Sequence, residues 1–373
     1  MVDVHEVDVV VIGAGQAGLS SAFHLRRTGT GFVVLDDAAS PGGAWQHRWP
    51  SLRIGAAHGV HDLPGLARET GDDSRPASEV VSEYFARYER TFALPVLRPV
   101  RVLAVRDTGT RLHVETSGGT WAARAVINAT GTWENPFWPR YPGQELFTGR
   151  QLHTAGYRGA EEFRGRHVIV VGGGISAVEQ LSEISEVATT TWVTRRPPEF
   201  GDADFSPEQG RAAVAEVERR VRAGLPPGSV VSATGLPPTP AVLRARERGV
   251  LERLPMFDRL TTHGVRWRDG REQRADAILW ATGFRPAIAH LAPLKLREPG
   301  GGIRVDGTRA ARDPRLHLIG YGPSASTIGA NRAGRTAVRE VNALLAQSSV
   351  NESAPDGQSV TASRTASASS APT

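Results

Sequence analysis

Cysteine is absent from this sequence of 373 residues, and its absence excludes several kinds of site. A disulfide framework, a thiolate metal site, an iron–sulfur cluster and a redox-active dithiol all require cysteine sulfur. The sequence also has no recognisable cluster of other metal-ligating residues. We therefore predict a protein without a metal centre and without a cysteine-based redox relay.

Lysine is almost absent. The chain has 44 basic residues, of which Lys295 is the one lysine, against 39 acidic residues. The net charge of +5 is small for this length, and the arginines are scattered along the chain. Binding to nucleic acid needs a basic patch or stripe. We therefore expect no nucleic-acid partner.

Long apolar runs are missing as well. No stretch approaches the ~18 apolar residues that a membrane-spanning helix needs. The amino terminus has acidic residues and no basic region before its first apolar run, unlike a secretory signal. We therefore expect a soluble, cytoplasmic protein with no membrane partner. The oligomeric state stays open, a homodimer included.

A dinucleotide-binding fingerprint occurs near the start of the chain. The apolar run Val7–Ile12 leads into GAGQAG at residues 13–18 and then into a helical pattern. A second apolar run, Phe32–Leu35, ends in Asp36. Strand, glycine-rich turn, helix, strand and acid, in this order, are typical of a site for an adenine dinucleotide. The helix amides should face the phosphates.

The same plan recurs in the second half of the chain. His167–Val171 leads into GGGISA at residues 172–177 and a helical pattern. The next predicted strand, Thr190–Thr194, ends in Arg195 and Arg196. Asp36 and Arg195 each lie 23 residues after the first glycine of their fingerprint, so we expect them at equivalent strand ends.

The opposite charges at these strand ends predict different ligands. Asp36 can accept hydrogen bonds from ribose hydroxyls and would repel a 2′-phosphate, which suits the adenosine of FAD. Arg195 and Arg196 can pair with a 2′-phosphate, which favours NADPH over NADH. A solvated surface pair is the alternative for the two arginines. FAD and NADPH on one chain imply hydride transfer to the flavin.

Each copy closes with the same tripeptide. The predicted strands Ala125–Asn128 and Ala277–Trp280 are both followed by Ala-Thr-Gly. We expect the chain to pass between the nucleotide domains there. The residues predicted to contact the two nucleotides are those of the turns and strand ends: Gly13, Gly15, Gly18, Asp36, Thr130, Gly131 and Gly320 for FAD, and Gly172, Gly174, Ser176, Arg195, Arg196, Thr282 and Gly283 for NADPH.

The predicted fold is α/β, with two Rossmann-like dinucleotide-binding domains arranged as in glutathione reductase. Residues 1–158 and 284–345 form the FAD domain, and residues 159–283 form an inserted NADPH domain. Residues 346–373 are rich in Ser, Ala and Thr and should be a disordered tail. The remaining predicted elements are a helix at Ser78–Phe92, an antiparallel meander of Val100–Val105, Arg111–Glu115 and Trp121–Arg124, a late strand at Arg315–Ile319 and a last helix at Gly329–Leu345.

Two further motifs carry a family resemblance. Residues 147–157, FTGRQLHTAGY, match FxGxxxHxxx(Y/F) directly before the second fingerprint, and Gly42-Gly43-Ala-Trp45 matches GGxW. The sequence therefore resembles the flavin-containing monooxygenases over roughly residues 5–345. Because the first motif ends in Tyr157, it is more similar to the N- and S-oxygenating branch than to Baeyer–Villiger enzymes. Gly43 and Trp45 join the predicted FAD contacts.

The resemblance implies an NADPH-dependent flavoprotein oxidoreductase of the class B monooxygenase type. In that family NADPH reduces FAD, O₂ forms a C4a-(hydro)peroxyflavin, and a small soft N or S nucleophile or a carbonyl substrate takes one oxygen. A second function stays open, an NADPH-dependent FAD reductase or dehydrogenase that donates electrons to a quinone or protein acceptor. Nucleotide binding without catalysis is disfavoured because both fingerprints are intact.

Several side chains are candidates for the catalytic site. His153 either orders the linker between the domains or acts in acid–base catalysis. Asn331 either supplies an amide near the flavin or caps the last helix. Gly55 stands where many members of the family have an asparagine that hydrogen-bonds the oxygenated flavin, which places stabilisation of that adduct in question. The remaining candidates line the pocket or fill the domain interface: Trp45, Trp49, His58 and His61.

Overall fold

The computed structural model describes residues 4–57, 59–201, 207–228, 235–236 and 238–353. The described helices are α1 (Gln16–Thr28), α2 (Ala77–Thr91), α3 (Ile175–Ile184), α4 (Pro207–Arg222), α5 (Pro240–Glu247) and α6 (Thr327–Ser353). The strands are β1 (Val4–Ile12), β2 (Phe32–Leu35), β3 (Val96–Leu97), β4 (Val102–Asp107), β5 (Leu112–Thr116), β6 (Gly119–Asn128), β7 (Arg150–His153), β8 (His167–Val171), β9 (Thr189–Thr194), β10 (Arg253–Pro255), β11 (Arg259–Thr261), β12 (Gly264–Arg266), β13 (Glu272–Arg274), β14 (Ala277–Trp280), β15 (Val305–Asp306), β16 (Arg309–Ala310) and β17 (Asp313–Leu318).

The first sheet has a parallel centre with strand order β17-β6-β1-β2-β3. β4 and β5 add an antiparallel meander beside β6, and β15 and β16 extend the sheet beyond β17. Val9 and Val11 face a core that includes α1, α2 and α6, whereas Val10 and Ile12 face the core on the other side. Both faces are covered, which is why β1 ends in a continuous apolar run.

The second sheet repeats this plan with strand order β10-β9-β8-β14-β7, all parallel. In each sheet the fingerprint strand, β1 or β8, lies between the strand that ends in the charged residue and the strand that ends in Ala-Thr-Gly. β11, β12 and β13 form a separate antiparallel sheet. The predicted α/β fold with two Rossmann-like domains is confirmed.

Two linkers join the domains and lie side by side. The first linker (residues 131–137) follows β6, and the second linker (residues 283–287) follows β14. Phe137 N donates to Gly283 O at 2.9 Å, and Ala287 N donates to Gly131 O at 2.9 Å. The chain therefore crosses between the domains at the two Ala-Thr-Gly motifs, as their sequence position predicted.

The predicted domain boundary at residue 158 is too late. β7 pairs with β14 in the second sheet, and Phe147 lies in the core of the second domain. The physical reason is that β7 supplies the outer strand which β17 supplies in the first sheet. The segment after the first linker, with β7 and residues up to 158, belongs to the NADPH-type domain.

Two other predictions also need correction. One strand, β6, contains both of the predicted strands Trp121–Arg124 and Ala125–Asn128, because β1 pairs with it along nearly its whole length. On the other side of β6, β5 pairs with its first half and β17 with its last residues. The last helix, α6, continues to Ser353, so the tail predicted from residue 346 was wrong up to that point. Residues 354–373 lie outside the described residues.

None of the described helices is long and apolar enough to cross a membrane.

Candidate functional site

The first fingerprint places a free helix end beside closely packed backbone. α1 begins after Gly15 with no side-chain cap and no acid in its first turn, so its amides and the positive end of its dipole are free for an anion. Gly13 has φ +96°, and a Cβ there would lie 2.8 Å from Ala129 O. A Cβ on Gly18 would lie 1.8 Å from Gly13 O, so only glycine fits at this contact.

Further glycines close around this helix end. A Cβ on Gly43 would lie 2.8 Å from Gly15 Cα, and one on Gly320 would lie 3.8 Å from Gly131 Cα. Gly131 and Gly320 have φ values of +62° and +69°. Segments from four parts of the chain thus form a surface of bare backbone at the amino end of α1. Such a surface fits a pyrophosphate that must approach the main chain closely.

Asp36 is part of a buried ion-pair network. Its Oδ2 accepts from Arg98 Nε at 2.7 Å, and its Oδ1 accepts from Ala14 N at 3.3 Å. Arg98 donates two further bonds, both 2.7 Å, to Glu89. Burial lowers the pKa of Arg98, but the two carboxylates outweigh it and the net shift is upward. Arg98 therefore holds Asp36 in one orientation while lone pairs remain for ribose hydroxyls.

Sequence reasoning missed Arg98. A signal was present, because Arg98 follows directly after the apolar residues of β3. β2 and β3 are parallel neighbours, so the residues at their carboxyl ends meet at one edge of the sheet. Asp36 follows β2 in the same way, which places the acid and the arginine side by side.

The second fingerprint has the same backbone arrangement. α3 begins after Gly174 with no side-chain cap and no acid in its first turn, and Ser176 lies in that turn. Gly172 has φ +142°, and a Cβ there would lie 2.1 Å from Ala281 O. A Cβ on Gly174 would meet no described atom within 4 Å, so this side of the loop is open for a ligand. The second helix end therefore offers the same uncapped amides to an anion.

The charged residues of the second site differ from those of the first. Arg195 and Arg196 follow β9 and are exposed. Within the described part of the chain, neither side chain forms an ion pair or a hydrogen bond. Two exposed guanidinium groups at this position fit a 2′-phosphate on the adenosine ribose.

The two threonines of the Ala-Thr-Gly motifs hold the linkers. Thr130 Oγ1 donates to Ala287 O at 2.8 Å, and Thr282 Oγ1 donates to Phe137 O at 2.5 Å. Each motif thus anchors the linker that follows the other motif. Both hydroxyl protons are used within the protein, so the predicted contact of these side chains with a nucleotide is limited to their acceptor lone pairs. Gly283 has φ +77° and open space around its Cα.

His153 lies at the same crossing. Its Nε2 lies 3.0 Å from Gly283 O and its Nδ1 accepts from Ala155 N at 3.1 Å, so the ring is assigned as neutral with its proton on Nε2. His153 is 2% exposed, and burial lowers its pKa. Trp138 and Phe284 pack against the ring. With both nitrogens in use, the geometry favours the linker-ordering role over acid–base catalysis.

Asn331 connects three segments near the first fingerprint. Its Oδ1 accepts from Gln16 Nε2 at 3.0 Å, and its Nδ2 donates to Asp62 O at 2.7 Å. Gln16 Nε2 also contacts His61 O at 3.2 Å. Because α6 begins at Thr327, Asn331 lies in its second turn, so the alternative of a helix cap does not hold. The amide ties the loop at 61–62 to the amino end of α1. Its position near the flavin stays a prediction.

The other sequence candidates have clear positions, except for His58, which lies outside the described residues. Trp49 is buried against Tyr157, with ring centres 6.0 Å apart, and therefore fills the domain interface. Gly55 lies in the 3-10 helix Ile54–Ala56, and a Cβ there would lie 2.8 Å from Asp73 Cβ. An asparagine at this position would require Asp73 to move.

Aromatic rings line the space between the domains. We call Trp45, His47, Arg48, Trp133 and Phe284 the interdomain cluster. Trp133 stacks on Phe284 at 4.9 Å and on His47 at 5.4 Å, and the Arg48 guanidinium lies 5.6 Å from the ring of Trp45 and 5.3 Å from that of Trp133. Sequence reasoning missed Arg48, Trp133 and Phe284. Phe284 follows its Ala-Thr-Gly motif directly and Trp133 follows the other motif after one residue, Thr132, which was the available signal.

No group of three or more His, Cys, Asp or Glu residues suited to a metal ion occurs in the ranges that the structure describes. The site is therefore assembled from two helix ends, bare glycine backbone, cations and aromatic rings. Such a set of groups fits two nucleotide cofactors that meet between the domains.

Comparisons with known proteins agree with this geometry. A family model described as pyridine nucleotide-disulphide oxidoreductase matches residues 10–212. The solved structure of a flavin-containing monooxygenase from Stenotrophomonas maltophilia is similar at 43% identity and a TM-score of 0.80, covering 91% of this chain and 99% of that chain.

Two curated relatives have different activities. An indole-3-pyruvate monooxygenase, YUCCA8, from Oryza sativa subsp. indica is 26% identical over 87% of this chain and 90% of its own length. A ferredoxin–NADP reductase from Ralstonia nicotianae is 31% identical over 69% of each chain. The chain spans about half the length of three further curated relatives, which are uncharacterized oxidoreductases from Geobacillus and Bacillus.

Proposed function

The chain belongs to the flavin monooxygenases of the pyridine nucleotide-disulphide oxidoreductase family, and from this we propose that it is an FAD-dependent, NADPH-using monooxygenase. The observation that carries the proposal is a pair of equivalent nucleotide sites that end in opposite charges, Asp36 and Arg195. The absence of cysteine supports it further. Electrons from NADPH have no disulfide to reduce in this chain, so they leave through O₂ or an external acceptor.

In this proposal FAD binds at the first fingerprint and NADPH at the second. The amides at the amino end of α1 hold the FAD pyrophosphate, and Asp36, oriented by Arg98, accepts the ribose hydroxyls. The amides at the amino end of α3 hold the NADPH pyrophosphate, and Arg195 and Arg196 pair with its 2′-phosphate. Reduced FAD supplies the centre that activates O₂.

The protein's own residues then position and shield the reacting groups. His153, Thr130 and Thr282 fix the two linkers, and the linkers set how the domains face each other. The rings of Trp133 and Phe284 cover the space between the domains with apolar surface. Exclusion of water from this space would suppress side reactions of the bound, reduced cofactor with solvent.

The substrate proposed for this site is a small soft nucleophile at N or S, or a carbonyl compound. Aromatic walls suit a substrate with an apolar body. Oxygen transfer to such a nucleophile needs no protein nucleophile and no metal.

The proposal is tested by following where the oxygen goes. Purified FAD-loaded enzyme is given NADPH, ¹⁸O₂ and a thioether, a tertiary amine or a ketone, and NADPH use, H₂O₂ and products are measured together. We expect one of the three classes to yield a product with one ¹⁸O atom for each NADPH consumed. Stoichiometric H₂O₂ with every substrate, and no labelled product, would reject oxygenation.

A reductase is the second candidate, because a ferredoxin–NADP reductase is 31% identical over 69% of its length. This function predicts rapid NADPH-dependent reduction of a ferredoxin or a quinone under nitrogen. We expect both acceptors to be reduced more slowly than O₂ is consumed with the best oxygenation substrate. The reverse order would favour the reductase.

A further inference from the structure

Arg48 differs from Arg98 and Arg315, two other partly buried arginines of this protein. Its Nε has no contact with solvent and no hydrogen-bond partner. Within the described part of the chain, its side chain forms no hydrogen bond and no ion pair within 4 Å. Instead, its guanidinium group forms cation–π contacts with two indole rings, those of Trp45 and Trp133.

Such an arginine is costly in a folded protein unless something else binds it. Removing a charge from water without a hydrogen-bonding partner destabilises the folded state, and buried charges in proteins are therefore paired. Arg98 and Arg315 follow this rule, because each contacts two carboxylates. Two cation–π contacts with Trp45 and Trp133 attract the guanidinium only weakly. They do not replace the missing hydrogen bonds.

Glu179 is the acid whose charge acts most on Arg48, and it lies across the domain interface on α3. It forms no ion pair with Arg48. Burial raises the pKa of Glu179 to about 7, although the charge of Arg48 opposes this. Near neutral pH the carboxyl is therefore only partly ionised, and the cation of Arg48 is only partly compensated. This arrangement places an available cation beside the first turns of α3.

We propose that Arg48 binds an oxyanionic group of a ligand that lies between the two nucleotide domains. The guanidinium offers planar donors that match a phosphate or a carboxylate. Arg48 comes from the FAD domain, whereas Glu179 and the anion-binding end of α3 belong to the NADPH domain. Arg48 is therefore a binding residue supplied from across the interface.

Two ligands can supply this oxyanion. One is the pyrophosphate of NADP, which the proposed function places at the amino end of α3, one turn before Glu179. The other is a carboxylate on an aromatic substrate whose ring contacts Trp133 or Phe284. The shared chemistry is an oxyanion beside an aromatic wall, and the two sources are separated by binding measurements.

The test uses oxidised, FAD-loaded enzyme and isothermal titration calorimetry. Wild type, Arg48→Met and Arg48→Lys are titrated with NADP⁺, NAD⁺, phenylacetate and the neutral analogue benzyl alcohol. Met keeps the stem between the indole rings without charge, and Lys keeps the charge without the planar fork. Arg90→Met, an exposed arginine on α2, is the control for loss of one positive charge. FAD content and melting temperature report whether each variant is folded.

If Arg48 binds the pyrophosphate, Arg48→Met lowers the affinities for NADP⁺ and NAD⁺ alike by about 10- to 100-fold, because both cofactors carry this group. If Arg48 binds a substrate carboxylate, the affinity for phenylacetate falls by a similar factor in Arg48→Met. The affinities for NADP⁺ and benzyl alcohol then stay unchanged. Arg48→Lys should retain part of the affinity in either case. Changes below twofold for all four ligands would overturn the proposal.

Should Arg48→Met fail to retain FAD, Arg48→Gln takes its place in the same titrations. The inference rests on the proposed function only in that a dinucleotide or a substrate occupies the cleft. Because binding is measured without turnover, a failure of oxygenation does not affect this test. A negative titration likewise leaves the oxygenation experiment intact.

Discussion

The two nucleotide-binding domains share a plan but differ in how their charges are paired. At the end of β2, Asp36 is buried and linked through Arg98 to Glu89. At the equivalent end of β9, Arg195 and Arg196 are exposed and lack a partner among the described residues. The first of these strand ends has its charge compensated within the protein. The other offers cations to a ligand.

This difference fits the two ligands proposed for the domains. A cofactor that stays bound is served by a rigid, preorganised carboxylate, because Arg98 has already fixed the orientation of Asp36. A phosphorylated cofactor that exchanges in each turnover can form charge-assisted hydrogen bonds with arginines that are exposed before it binds. Arg48 extends the contrast, since it belongs to the FAD-type domain, forms no ion pair with any described residue and lies beside two indole rings at the domain interface.

The largest effect is expected when the compensated network is broken. Arg98→Met leaves the carboxylates of Asp36 and Glu89 buried together without a cation. Removing one partner of a buried ion-pair network costs about 3–5 kcal/mol. We expect urea unfolding to show a loss of this size, together with loss of FAD during gel filtration. The triple variant Asp36→Asn, Glu89→Gln and Arg98→Met should recover much of the stability. If Arg98→Met had the same free energy of unfolding as wild type, the ion-pair network would not stabilise the protein.

The FAD-type domain should also be the more sensitive to acid. Burial lowers the pKa of His290 and of His317 to about 4, against 6.5 for an exposed histidine. Between pH 6.5 and 4 the unfolded chain therefore binds more protons than the folded one, so the free energy of unfolding falls as the pH falls. It is fully retained above pH 6.5.

Each of these histidines should lower the free energy of unfolding by up to about 3 kcal/mol at pH 4, because each pH unit between the unfolded and folded pKa values corresponds to about 1.4 kcal/mol. Urea unfolding at pH 7.0, 5.5 and 4.5 measures this loss. His290→Gln keeps a donor toward Asn128 and removes one proton-binding site, so its loss between pH 7.0 and 4.5 should be smaller than that of wild type. If the free energy of unfolding falls equally with pH in wild type and His290→Gln, then His290 does not titrate in this way.

A smaller effect is expected at the uncompensated site. Arg195→Ala removes a charge-assisted hydrogen bond to the 2′-phosphate, worth roughly 1.5–3 kcal/mol. The Kd of NADPH should therefore rise about ten- to a hundredfold, while that of NADH changes little. Stopped-flow reduction of the flavin at several concentrations of each cofactor gives both values. Equal losses for NADPH and NADH would show that Arg195 does not discriminate between them.

Much of the fold was predictable because its signals are local. The strands before and after each fingerprint, the glycine-rich turns and the helices between them lie within about 30 residues of sequence. Gly13 and Gly172 indicate turns in the sequence because the backbone at both positions requires positive φ and close packing. The shared Ala-Thr-Gly motifs correctly marked the two crossings between the domains.

The errors concern elements whose partners are distant in sequence. β7 was assigned to the wrong domain because its partner, β14, follows more than 100 residues later. β6 was divided because its two halves have different neighbours on one side. For Asn331 the sequence left open a flavin amide or a helix cap, whereas its contacts to Gln16 and Asp62 join α6, α1 and a loop that meet only in the folded protein.

The order of residues by itself determined that this chain builds two dinucleotide-binding units with opposite charges at their strand ends. Those features depend on backbone sterics and on residue type within short segments. Tertiary structure alone decided which charges are neutralised, how the linkers are tied together and which arginine is left between two indole rings. The physical reason is that ion pairs and hydrogen bonds depend on distances of a few ångströms between segments that are far apart along the chain.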